Sequence, residues 1–200
     1  MPRHIRFAVA VSSIALMAVA CRGAVGTAEL QGVIVESPSE KASFTLTDTE
    51  GDAFDFRAET DGELTLLYFG YLNCPDICPV HLAQIAEVFD QLPAVARDTN
   101  VVFVSVDPNR DSPEAIRRYL DNFDRRFIGL TGTLDELRDA QTAAGVPLAQ
   151  YVGDGENYTV DHAGWVIAYG PDDVNHVIYP SGTRQSQLLN DLPALAELGT

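Results

Sequence analysis

Cys74 and Cys78 stand four positions apart in Cys74-Pro75-Asp76-Ile77-Cys78-Pro79, at the end of an apolar run, and His162 lies far downstream. Thiolates are soft, polarisable donors, and two of them joined by an imidazole make a site that favours Cu(I), or Zn(II) if a fourth ligand joins. The same two thiols could instead make and break a disulfide across a strand-to-helix turn. A pair of inert, buried thiols fits poorly, because Gly70, Asn73, Asp76 and two prolines surround them rather than a continuous apolar stretch. On residue types alone, metal binding and thiol redox chemistry both stay open.

Either chemistry needs the sulfurs held at the mouth of a rigid element. Leu64 to Tyr71 is apolar, aromatic-rich and short, the pattern of a central strand buried on both faces. Pro79 suits a first helical turn, and Leu82, Ile85, Ala86, Phe89 and Leu92 recur on one stripe, so a helix is expected to open beside Cys78. Free amide hydrogens and the positive end of the helix dipole favour a thiolate there, which serves metal binding and thiol attack alike.

The remaining pattern supplies a scaffold. Residues 42–48 and 53–56 alternate at period two around Thr49-Glu50-Gly51-Asp52 and predict an N-terminal β-hairpin. Val101 to Val106 reads as a second buried strand, and Ser112-Pro113-Glu114 starts a helix running to about Asn122. A short strand at 127–130, a helix at 134–144, strands at 165–169 and 176–179 and a closing helix at 183–195 complete the α/β reading. Strand-helix-strand units imply parallel crossovers, and the late strand pair around Gly170-Pro171-Asp172-Asp173 implies an antiparallel hairpin. A mixed central sheet with helices on both faces is expected, with Cys74 and the Asp107 loop at the carboxyl ends of its strands, where ligands gather.

Length and charge narrow the setting. Two hundred residues with 46% hydrophobic content suit one domain with a proper core. Residues 1–20 read as a signal peptide: Arg3 and Arg6 precede an uncharged run from Phe7 to Ala20, too short to span a bilayer comfortably. Ala18-Val19-Ala20-Cys21 resembles a bacterial lipobox, which implies lipid on Cys21, while Ala18-x-Ala20 equally fits an ordinary signal peptidase. Residues 21–40, rich in Gly, Ser, Glu and Pro, read as a flexible tether to a domain at 41–200. The net charge of −16 becomes more negative once the leader and its two arginines are gone. Such a surface repels phosphate backbones and anionic headgroups, which argues against nucleic-acid binding and leaves a covalent anchor as the membrane contact. Outside the cytoplasm, a metal-free cysteine pair tends toward the disulfide, so function would need a reductant or a protecting metal.

Tyr68-Phe69-Gly70-Tyr71 with Cys74-Pro75-Asp76-Ile77-Cys78-Pro79, then Ser105-Val106-Asp107-Pro108-Asn109-Arg110-Asp111-Ser112-Pro113, then Val160-Asp161-His162, together resemble the Sco/SenC family. The likeness runs from about Ala42 to about Leu195, and the three motifs jointly are far more specific than any one. It implies a thioredoxin-like fold, membrane attachment on the periplasmic side, and copper, Cu(I) or Cu(II), bound by Cys74, Cys78 and His162. It further implies a metallochaperone that helps build the dinuclear copper centre of a respiratory cytochrome c oxidase, a role that requires no turnover chemistry, with thiol-disulfide oxidoreductase activity left open. The implied partner is the oxidase's copper-bearing subunit, with another periplasmic copper chaperone or a thiol reductant as further candidates. Leu72 and Ala163 depart from the family's usual residues, and neither replaces a ligand.

The rivals meet specific obstacles. A general dithiol exchanger resembles Cys-x-x-Cys with a proline before the facing strand; here the spacing is longer and Asp161-His162-Ala163-Gly164 leads into Trp165. A peroxiredoxin would place Thr three residues before its reactive cysteine, where this chain has Tyr71 or Pro75. A narrower thiol-disulfide reductase, keeping the cysteines of an oxidase subunit reduced with Cys74 and Cys78 as the redox pair, is the runner-up, and redox sensing uses the same site. His81 is expected on a solvated helix face, His176 in the late hairpin, and Asp76 in a turn. Asp161 either orients His162 or caps a turn, and the Asp107 to Pro113 loop shapes the rim, with Arg110 unexplained by strand exit or helix cap.

Overall fold

Every residue from Leu64 to Gly70 is buried, and this strand sits inside the sheet, flanked on both edges. A computed structural model describes residues 29–198 apart from 154 and 156, together with Met1. The expected signal peptide, the lipid site at Cys21 and the first part of the tether lie outside the described residues.

The chain order begins β1 (Val33–Ile34), β2 (Thr45–Asp48), β3 (Ala53–Asp55), α1 (Phe56–Glu59), β4 (Leu64–Gly70) and α2 (Ile77–Gln91). It continues α3 (Pro93–Arg97), β5 (Thr99–Ser105), α4 (Pro113–Leu120), β6 (Ile128–Thr131) and α5 (Leu134–Ala143). It closes with β7 (Gln150–Val152), β8 (Thr159–Asp161), β9 (Trp165–Tyr169), β10 (Asn175–Pro180) and α6 (Gln185–Ala196). The main sheet has the order β1-β10-β9-β4-β5-β6-β2-β3, and β7 and β8 form a separate ribbon.

The sheet is mixed as expected. β4, β5 and β6 run parallel, since a helix returns the chain over the sheet each time, and β9 runs antiparallel to β4. On one face Tyr68 packs edge-on to Phe103, which meets Tyr119 of α4, while α2 buries Leu82, Ile85, Val88 and Phe89. On the other face Phe69 meets Phe44, which stacks on Phe56 of α1 with ring centroids 4.7 Å apart. The helix starts follow their signals: Ser112 caps α4 by accepting from the Ala115 amide, and Thr133 with Glu136 forms a capping box on α5.

Within the expected tether the structure departs from the reading. Val33 and Ile34 pair with β10, and the Gln31 and Gly32 amides both donate to Asp191 of α6 at 2.8 Å. A buried carboxylate needs donors, and two backbone amides with the Tyr179 hydroxyl, 3.2 Å away, satisfy it. Two apolar residues within this stretch, Val33 and Ile34, therefore serve as an edge strand.

Candidate metal centre

β4 delivers its last residues to the sheet's carboxyl edge, where α2 begins. Gly70 is required there: a Cβ at this position would stand 2.7 Å from the Phe103 ring and 2.9 Å from Cys78 Sγ. The turn that follows is pinned by Asp111, whose carboxylate accepts from the Leu72 amide at 2.9 Å and from the Ser105 hydroxyl at 2.6 Å. The Cys74 amide donates to the Tyr71 carbonyl, which closes the turn. Cys78 lies in the first turn of α2, and its own amide donates to Cys74 Sγ at 3.4 Å. The free amides of a helix start thus face a sulfur, as expected for a stabilised thiolate.

His162 arrives from the opposite direction, one residue past β8. Its Nε2 lies 3.7 Å from Cys78 Sγ, and one donor atom from each of Cys74, Cys78 and His162 falls within 4.8 Å of the others. The ring is orientated by the Ala163 carbonyl, 3.1 Å from Nδ1, and by edge-on contacts with Tyr71 and Tyr68. A hydrogen bond at one ring nitrogen sets the tautomer and leaves the other for the sulfurs. Asp161 is exposed and pairs with Gln150, so the orienting group is a backbone carbonyl rather than that carboxylate.

The two sulfurs are unequal. Cys78 is fully buried, Cys74 is 9% exposed, and the Tyr68 hydroxyl donates to Cys78 Sγ at 3.3 Å. The hydrogen bond from Cys78, assisted by His162 and the amides of Cys78 and Asp76, holds the Cys74 thiol well below its usual range against the opposing effect of burial. Cys78 moves up for the complementary reason: it keeps the proton it shares with Cys74, and burial adds to this. A depressed value means that thiolate survives at lower pH. In the reduced, metal-free protein at mildly acidic pH, iodoacetamide should therefore add once, at Cys74, with Cys78 modified only after denaturation. Peptide mass mapping checks this, and first-hit labelling of Cys78 would contradict it.

His81 is not on a solvated face. It is 3% exposed, its ring lies 5.3 Å from that of Tyr68, and the Gly164 backbone stands against it. Burial lowers its basicity. It lies outside the three-residue donor group nonetheless. His176 is in the late hairpin as expected, 2.8 Å from Asp172. Composition had not singled out the β7–β8 ribbon, although Gln150-Tyr151-Val152 and Thr159-Val160-Asp161 flank a glycine-containing turn and carry the hairpin signal.

A model of the SCO1/SenC family matches residues 35–197. This chain belongs to the SCO1/SenC family. It is 38% identical over 122 residues to a SCO2-like protein of Rickettsia conorii, covering 60% of this chain and 59% of that relative's length. Among solved structures it resembles ScoI of Bradyrhizobium japonicum with copper bound: 32% identity, a TM-score of 0.68, and coverage of 78% of this chain and 98% of that one. The apo Sco1 protein of Thermus thermophilus matches with a TM-score of 0.73 at 30% identity, covering 82% and 95%. The fold is the thioredoxin-like one of Sco proteins, and within it the two cysteines and the histidine of this SCO1/SenC member converge.

Proposed function

We propose that this chain binds copper through Cys74, Cys78 and His162 and passes it to the copper-bearing subunit of a respiratory cytochrome c oxidase. The observation that carries the reading is the convergence of three soft or borderline donor atoms within 4.8 Å of one another. Two thiolates and one imidazole suit Cu(I). The solved ScoI of Bradyrhizobium japonicum, similar in sequence and fold, has copper bound. The burial gradient gives the transfer a direction: His162 is half-buried, Cys74 slightly open and Cys78 closed. An incoming partner thiol replaces the outer donors first and Cys78 last. The leader at 1–20 with Cys21 behind it supports export and a lipid tether on the periplasmic side of the membrane.

The test is transfer. Protein loaded anaerobically with one Cu(I) is mixed with the metal-free subunit, the two are separated, and metal analysis should find the copper on the subunit. Copper that stays put, with the subunit filling only from free copper, would sink the reading.

The unequal thiols favour one second reading, a thiol-disulfide reductase for the same subunit. Cys74 thiolate attacks the subunit disulfide, Cys78 resolves the mixed disulfide, and one Cys74–Cys78 disulfide forms for each one reduced. Copper-free protein that reduces the subunit stoichiometrically, in the absence of copper transfer, would select it.

A further inference from the structure

Arg110 sits in the loop after β5, and neither the strand exit nor the α4 cap uses it. Its Nε and Nη2 each approach Asp107 Oδ2 at 2.5 Å, and its Nη1 donates to the Tyr158 carbonyl at 2.9 Å. The guanidinium lies 3.6 Å from the Tyr158 ring centroid and 5.9 Å from that of Tyr71. Tyr158 Oη donates to the other oxygen of the fully buried Asp107 at 2.5 Å. From β7, Tyr151 Oη donates to the Val106 carbonyl, also at 2.5 Å. The loop behind β5 therefore grips β7 through Tyr151 and the entry to β8 through Tyr158, and β8 ends at Asp161, one residue before His162. Tyr71, beneath the guanidinium, is also the ring that meets His162 edge-on at 5.5 Å.

We propose that Arg110, with Asp107 and Tyr158, is a positioning clamp that fixes the His162-bearing ribbon over the two sulfurs before metal arrives, and thereby sets the affinity for Cu(II). Its metal arm rests on the copper reading above, and its structural arm does not. A donor already immobile loses little freedom on binding metal, so affinity rises without a new contact. Cu(I), satisfied largely by the two thiolates, depends less on the clamp. The forked guanidinium bonds Asp107 and the Tyr158 carbonyl while lying on the Tyr158 ring, an arrangement an ammonium does not reproduce.

The test compares wild type with Arg110→Gln, Arg110→Lys and Tyr158→Phe. Amide hydrogen exchange is measured on reduced, metal-free protein, and Cu(II) affinity is measured with the nitrogen coupling in the EPR spectrum. Arg110→Gln should speed exchange at the β7–β8 ladder amides while leaving β4 and β5 protected, weaken Cu(II) by roughly 10–100-fold, and diminish the histidine nitrogen coupling. Arg110→Lys should behave alike, and Tyr158→Phe, which keeps ring and carbonyl but loses the Oη bond, should fall between. Wild-type Cu(II) affinity in Arg110→Gln would overturn the clamp, and so would weakened copper binding without faster ribbon exchange. If Arg110→Gln does not fold, Tyr158→Phe decides on the same two readings. A wild type that takes up no copper would overturn the copper reading instead, and ribbon exchange alone then decides the clamp.

Discussion

Cys78→Ser should abolish Cu(I) retention, while His162→Ala should keep it and lose tight Cu(II) binding. Serine fills the same space beside Gly70 and offers the Tyr68 hydroxyl an oxygen in place of sulfur, so the fold is expected to persist. Its oxygen is a hard donor that stays protonated, and one thiolate with one imidazole holds Cu(I) poorly. The loss should exceed the roughly 10–100-fold typical of removing an outer partner of a metal ligand. In His162→Ala both sulfurs remain, so copper measured after anaerobic Cu(I) loading should stay near one per chain, and the dithiol should still oxidise to a disulfide. Cu(II), which favours imidazole nitrogen, should bind far more weakly. Metal analysis and titration against a competing chelator check both variants. Unchanged Cu(II) affinity in His162→Ala would remove that histidine from the site, and full copper in Cys78→Ser would remove the buried sulfur.

Lys41→Met should cost a large fraction of the folding stability at neutral pH. Lys41 is the chain's one lysine, yet it is 1% exposed. Its Nζ donates to the Thr60 carbonyl at 2.5 Å, lies 3.3 Å from the Glu63 carbonyl, and pairs with Asp173 at 2.6 Å. One ammonium thus joins the segment before β2, the α1–β4 connection and the β9–β10 turn, where Asp173 adopts a φ of 57°. Methionine keeps the apolar stem but leaves a carboxylate and buried acceptors unpaired, a change worth about 3–5 kcal/mol against typical domain stabilities of about 5–15 kcal/mol. Denaturant midpoints measure it, and a difference within about 0.5 kcal/mol of wild type would refute the brace. The dependence on pH has a defined sign. Burial raises the Asp173 value, but the hydrogen bond and charge of Lys41, with the Gly62 amide, outweigh it and leave the carboxyl below its ordinary range. A depressed carboxylate stabilises the fold above the unfolded value of about 3.9 and loses that contribution as pH falls through the folded one. The gap between wild type and Lys41→Met should therefore be full at neutral pH and narrow in acid.

Legibility differed between elements for identifiable reasons. β4, β5 and α2 were readable because burial on both faces, or on one stripe, leaves a periodic imprint on neighbouring residues. β1 was not, since an edge strand of two residues held by Asp191 leaves almost none. His81 was misplaced because helical spacing says which residues share a face, while the element that covers the face, here the His162 to Gly164 segment and Tyr68, comes from elsewhere in the chain. Arg110 has the same explanation: its partner Tyr158 is 48 residues away.

The amino-acid sequence by itself determined the chemistry on offer: two soft sulfurs at a strand-to-helix turn, a distant imidazole, and a scaffold of alternating strands and helices to hold them. Only the tertiary structure decided that His162 reaches the sulfurs, that Cys74 and Cys78 are unequal, and that a backbone carbonyl rather than Asp161 aims the ring. The physical reason is range. Propensity and periodicity act over a few residues, whereas closing the 84-position separation of Cys78 and His162 depends on how the whole sheet, and the ribbon attached to it, pack together.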